Sequence, residues 1–126
     1  MENKKKSRKE LHREYKERVK PTGVFQIKNI SNGKVLLGSS LNLEGSLNKH
    51  RFMLKIGGHT NKALQKDWDE LGADQFVFEI LEEVKVVDSP NFNLKDDLTL
   101  LEEIWLEKLQ PFDERGYNLN DRIREA

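Results

Sequence analysis

The chain has no cysteine among its 126 residues, which excludes disulfides and thiolate metal sites. It has no apolar run near the length of a membrane-spanning helix. Its N-terminus lacks an apolar segment behind the lysines, so it does not read as a secretory signal, and a cytoplasmic location is expected. Net charge is also absent: 22 basic residues balance 22 acidic ones. Proline occurs three times, at positions 21, 90 and 111, and each reads as a break between elements. What remains is 36% hydrophobic and 35% charged residues, the mix of one small α/β or α+β domain with a modest core.

The zero net charge hides an uneven distribution. Residues 1–20 hold nine basic side chains against four acidic ones, so the rest of the chain is acidic by the same margin. Lys4, Lys5, Lys6, Arg8, Lys9, Arg13 and Lys16 are the candidate nucleic-acid contacts on this arm. Residues 2–19 are rich in helix formers, with Glu14 four before Arg18. Their apolar stripe, Leu11, Tyr15 and Val19, is too thin to hold a core and suits docking on a body, a partner or a second copy. Pro21 ends this helix.

Beyond it, residues 23–29 and 34–38 read as strands joined at Ser31-Asn32-Gly33, where Asn-Gly supplies the positive φ of a tight hairpin. Ser40 or Asn42 would cap a helix running to Lys55, with Leu43, Leu47 and Met53 or Leu54 inward, and Gly57-Gly58 breaks it. Thr60 or Asn61 would cap the next, carrying Leu64, Trp68 and Leu71 and closed by Gly72. Residues 75–82 form a third strand in which Phe76, Phe78 and Ile80 share a face. A loop over 84–96 leads to a last helix from Asp96 to Leu109. Three strands spaced this way imply an α+β fold: an antiparallel or mixed three-stranded sheet flanked by helices, with an N-terminal basic helix. The expected division is an arm and linker over 1–21, a domain over 22–118 and a tail over 119–126.

Gly23-Val24-Phe25, the Asn-Gly turn, Val35-Leu36-Leu37-Gly38 and the helix behind them resemble the opening of a GIY-YIG nuclease domain. The likeness continues through His59-Thr60-Asn61, Leu64-Gln65, Asp67-Trp68, Gly72, Phe76, Phe78 and Ile80-Leu81-Glu82. It closes on Glu102 ahead of Trp105-Leu106, and on Gly116-Tyr117-Asn118. In active members the resemblance implies metal-dependent phosphodiester hydrolysis. A first-strand tyrosine helps activate water, a helix arginine steadies the developing negative charge, and a glutamate carries the metal. Fixed cations suit that chemistry because the transition state gathers negative charge on oxygen.

The positions the resemblance assigns to this chemistry are Phe25, Leu36, Ser46, His50 and Asn118, with Glu102 as the remnant metal candidate. Phe25 and Leu36 lack the phenolic hydroxyl, and Ser46 lacks the guanidinium. Lys49 and His50 share the helix face of Ser46, whereas Arg51 points elsewhere, and Lys49 has no forked donor geometry. On a helical wheel Glu102 falls inside the apolar arc of Leu98, Leu101, Trp105, Leu106 and Leu109. An inward carboxylate is costly unless paired or metal-bound, so the alternatives are a metal ligand or a remnant at the rim of the cleft, either still wet or bonded to Asn118 or His50. His12 and His59 read as a surface residue and a helix-cap neighbour, and Trp68 and Trp105 as core anchors.

The expectation is a degenerate, catalytically silent domain that binds nucleic acid or regulates, with no cofactor. One alternative is an active endonuclease using Mg²⁺ or Mn²⁺ with Glu102, His50 and Lys49. The other is a protein-interaction or dimerisation module built on Leu11, Tyr15 and Val19.

Overall fold

The computed structural model describes residues 20–119. The expected basic helix over 2–19, its stripe, His12 and the tail beyond Leu119 lie outside them. Strands β1 (Gly23–Asn29) and β2 (Val35–Ser40) form an antiparallel hairpin, and Gly33 in its turn takes φ 80°. Strand β3 (Phe76–Glu83) pairs antiparallel with the other edge of β1, giving the order β2-β1-β3. The sheet is therefore wholly antiparallel. β2 runs two residues further than the sequence suggests, because Ser39 and Ser40 still pair with Val24 and Gly23.

Three asparagines start the three helices. Asn42 accepts from Gly45 N at the start of α1 (Leu43–Lys55), and Asn61 accepts from Leu64 N at the start of α2 (Lys62–Leu71). Asn93 accepts from Asp96 N at the start of α3 (Leu94–Leu109). Each side chain satisfies a backbone donor that the first helical turn leaves open. The cap at Asn93 explains why α3 begins before Asp96. No helix among the described residues is long and apolar enough to cross a membrane.

Alternate strand residues face opposite sides. On one side Phe25 and Ile27 of β1 pack with Leu43 and Leu54 of α1, Leu64 and Trp68 of α2, Phe76 and Tyr117. Trp68 stacks obliquely on Phe76, ring centroids 5.3 Å apart. Val24, Val35 and Leu37 face the other way and are buried, as is Leu98 of α3, which lies across that side. Two expected core positions are open. Leu71 and Ile80 are 44% and 47% exposed; Gln65 takes the inward place on α2, and Ile80 lies past the helices' cover on edge strand β3. Trp105 is half-buried and sits at the rim, its indole N–H donating to Glu82 at 2.9 Å.

The motif Gly116-Tyr117-Asn118 covers the free edge of β2. Tyr117 N donates to Val35 O, while the Asn118 amide both accepts from Leu37 N and donates to Leu37 O, at 2.8 and 2.9 Å. One side chain thus imitates a strand residue on an edge that would otherwise invite pairing. Gly116 is required for the approach, since a Cβ there would overlap the Pro111 carbonyl.

Candidate functional site

The site the sequence points to lies where β1, β2 and α1 meet. Phe25 on β1 is buried and its ring runs across Gly38 of β2: a Cβ on Gly38 would lie 2.6 Å from Phe25 Cζ. The glycine therefore makes room for a six-membered ring on the neighbouring strand. The ring is present and its hydroxyl is not, so this floor offers neither proton donor nor acceptor. Leu36 is half-buried and packs against the apolar core. Ser46, on the first turns of α1, hydrogen-bonds through its hydroxyl to the Ser40 hydroxyl at the end of β2. The short side chain is thus tied to the hairpin. Arg51 does not replace the missing cation: its guanidinium lies over the Phe78 ring of β3, 4.4 Å from the centroid. Lys49 is exposed on α1.

His50 lies against this floor, its ring centroid 5.3 Å from that of Phe25. Its Nδ1 meets Nε2 of His59 at 2.7 Å, and the two rings stack with centroids 5.0 Å apart. Spacing in the sequence gave no sign of this pair, since His59 read only as a cap neighbour. It is that as well: Asn61 N donates to His59 Nδ1 at 3.0 Å. Gln65 completes the setting, accepting from His59 N and donating to Leu54 O.

These bonds fix the direction of the hydrogens. A backbone N–H can only donate, so His59 Nδ1 is the acceptor, and neutral His59 carries its proton on Nε2. That proton goes to His50 Nδ1, which leaves the His50 proton on Nε2. Among the described residues nothing bonds that Nε2–H. Burial holds both histidines below the usual histidine pKa, helped by repulsion from His59 and Lys49 at His50 and from Lys62 at His59. At neutral pH His50 is therefore a neutral donor whose Nε2–H has no partner among the described residues. It suits hydrogen bonding to a phosphate oxygen; abstracting a proton from water would require the chain of bonds to reverse.

Of the alternatives for Glu102, the bonded one is not seen: the Asn118 amide is spent on Leu37, and among the described residues neither Asn118 nor His50 bonds Glu102. Glu102 is half-buried on α3, which covers the opposite side of the sheet from α1. The wheel put it inside an apolar arc, but of that arc only Leu98 is buried. Among the described residues no three His, Asp or Glu side chains gather as metal ligands. Glu102 would be the one protein carboxylate offered to a divalent ion here, and Mg²⁺ held in that way leans on waters and substrate phosphate for the rest.

Tyr117, part of the closing motif in the sequence, is a structural hub. Its hydroxyl donates to Asp67 at 2.7 Å and accepts from buried Asn29 at 3.0 Å. Burial, with the Asp67 carboxylate, pushes its pKa up to about 12. Its backbone O accepts from Asn61 Nδ2, which ties the motif to the residue that orients His59.

No family profile matches the chain. The intron-associated endonuclease 1 of Enterobacteria phage T4 is 32% identical over 100 residues, covering 79% of this chain. The chain spans only 37% of that protein's length. The solved catalytic domain of the homing endonuclease I-TevI superposes with a TM-score of 0.64 at 31% identity, covering 79% of this chain and 99% of that domain. A Glu-to-Ala variant of the same catalytic domain gives the same TM-score, covering 80% and 95% of the two chains. Sequence and fold agree over nearly the whole of that domain, and the chain belongs to the GIY-YIG nuclease superfamily.

Proposed function

We propose that this GIY-YIG domain no longer cleaves phosphodiesters efficiently and acts instead as a nucleic-acid-binding or regulatory module. The observation that carries this reading is the floor of the cleft. Phe25 presents a buried ring without a hydroxyl, Leu36 joins the apolar core, and Ser46 is bonded to Ser40. Losing one preorganised charge-stabilising donor costs about 10²–10³ in rate, and here three positions differ together. The donor His50 Nε2–H is suited to holding phosphate, which supports binding. The T4 relative is named an endonuclease, and nucleic acid is the ligand class this chain would share with it. The basic residues of the arm would supply most of the affinity.

A second reading, a nuclease with rearranged chemistry, draws support from His50, whose Nε2–H has no partner among the described residues, and from Glu102. One experiment separates the two. Supercoiled plasmid and single-stranded DNA are incubated with purified protein and Mg²⁺ or Mn²⁺, and nicking and gel shift are read on the same samples. The module reading expects a shift that weakens steeply with salt, by about 0.9 log units per log unit of salt for each phosphate neutralised on duplex DNA, and no nicking above background. Nicking that disappears in Glu102→Ala would overturn it.

A further inference from the structure

An apolar groove runs between α3 and the chain that leaves β3. Its walls include Val87, Leu100, Leu101 and Ile104, and its rim carries Glu82, Glu83 and Asp97 against one cation, Lys85. Val87, Leu100 and Ile104 are 52%, 57% and 44% exposed, a contiguous apolar surface of the kind that marks an interaction site. On α3 the groove-facing residues are Asp97, Leu100, Leu101 and Ile104, spaced as one helix face. At about 100° per residue, Asp96 and Glu103 fall just beside Leu100, so acidic groups flank the apolar strip on that edge too.

We infer that this groove is the seat of the chain's own N-terminal segment, residues 1–19, with Leu11, Tyr15 and Val19 packed on Leu100, Leu101 and Ile104. Three observations converge on that occupant. The first is continuity. Lys20 lines a neighbouring depression with Glu83, Val84 and Lys85, which also line the groove. Thr22 O accepts from Val84 N at 2.7 Å, which holds the segment's exit against the groove mouth. The second is length. As a helix, Leu11 to Val19 spans about 12 Å, and Asp97 to Ile104 along α3 about 10 Å. The third is charge. Residues 1–19 carry eight basic side chains against four acidic ones, facing the carboxylates at positions 82, 83, 96, 97 and 103. Arg8 and Arg18 lie three residues from Leu11 and Tyr15, on the stripe's own face. The other surface beside Lys20 is lined by Pro21, Asn42, Glu44, Gly45 and Asn48, and one proline is too little apolar surface to receive the stripe. Docking of this kind holds the arm's cations against acidic groups when no nucleic acid is present.

The natural chain has no cysteine, so a nitroxide can be placed at a single site. In full-length, isotope-labelled Thr99→Cys bearing the nitroxide, the amide signals of residues 8–19 should be lost and should return on reduction of the label. Leu100→Lys with Ile104→Lys in the same chain should restore them; both positions are exposed, so the fold is kept. Leu11→Ser with Tyr15→Ser, which leaves the body untouched, should do the same. Arm signals of full intensity in the labelled wild-type background would overturn the proposal. So would equal broadening when isotope-labelled unmodified protein is mixed with unlabelled nitroxide protein, which would assign the groove to a second copy.

Discussion

The closing motif and the cleft floor are neighbours on the same hairpin, and they differ in which half of the family's equipment they hold. Around Tyr117 and Asn118 every polar side chain is bonded: Asn118 to both backbone groups of Leu37, Tyr117 to Asp67 and Asn29, Asn61 to Tyr117 O. Around Phe25 the groups that would do chemistry are a bare ring, an aliphatic side chain and a serine bonded to another serine. The polar groups that hold the fold are in place, and on the proposed reading the groups that the resemblance assigns to catalysis are not. A motif of this kind serves two ends that can separate, because buried hydrogen bonds are costly to leave unmade whereas losing a surface catalytic group costs the fold nothing.

The sharpest way to break that comparison is to attack the framework. Gly116→Ala sets a methyl group into the Pro111 carbonyl, and the strand edge cannot move without parting Tyr117 N from Val35 O. A loss of about 3 kcal/mol is expected, at the upper end of overpacking costs. Thermal melts would read it as a fall of roughly 12 °C or more for a domain near 100 residues. A melting point unchanged within error would mean the closing segment is not held on the β2 edge.

Tyr117→Phe removes only the hydroxyl. Asn29, fully buried, then loses its Nδ2 partner, and Asp67 loses a donor, so about 1–3 kcal/mol is expected. The phenol also sets a pH limit. Its folded pKa is raised to about 12 above an unfolded value near 10. The neutral form is thus favoured in the fold, and its contribution is complete below about pH 10 and lost as pH rises toward 12. Urea midpoints between pH 9 and 12 should fall for the wild type and stay flatter for Tyr117→Phe.

The framework was more legible in the sequence than the cleft. Asn32-Gly33, the alternation of Phe76 and Phe78, and the spacing of Leu64 and Trp68 each report a local constraint, and each lies where its pattern put it. Asn93 as a cap is less legible, because Asp96 and Asp97 behind it are themselves residues that favour a helix start. The His50–His59 pair was not legible at all. The two residues sit nine apart across a turn, and only Gln65 and Asn61, acting through backbone groups, bring the rings together. A helical wheel reports which residues of α3 share a side and not how deep they lie: there Leu98 is buried, while Glu102, like Trp105, is half-buried.

The histidine pair gives an intermediate effect. Both pKa values lie below the ordinary value, so the neutral forms are favoured in the fold. Their contribution is complete above the unfolded pKa, near 6.5, and is lost as pH falls through the folded values. Stability should therefore decline from about pH 6.5 downward. The double variant His50→Gln with His59→Gln should lack that component while carboxylate titration at lower pH persists. An identical acid limb in both proteins would show that the pair is not coupled to folding.

Glu102 gives the smallest effect, and the most telling for the cleft. It is half-buried on α3 and has no hydrogen-bond or ion-pair partner among the described residues, so Glu102→Gln removes a charge without orphaning a neighbour. Substitutions of that kind stay within about 0.5 kcal/mol. A bound divalent metal would change the outcome by mass action: a metal that binds only the folded state raises stability with RT ln(1 + [L]/Kd), about 2.7 kcal/mol at a hundredfold excess over Kd. Melts of wild type and Glu102→Gln with and without millimolar Mg²⁺ or Mn²⁺ should therefore superpose. A metal-dependent rise confined to the wild type would show that Glu102 anchors a working ion. It would place the missing chemistry on α3 instead of on the hairpin, and the nuclease reading would then have the metal that the floor around Phe25 cannot supply.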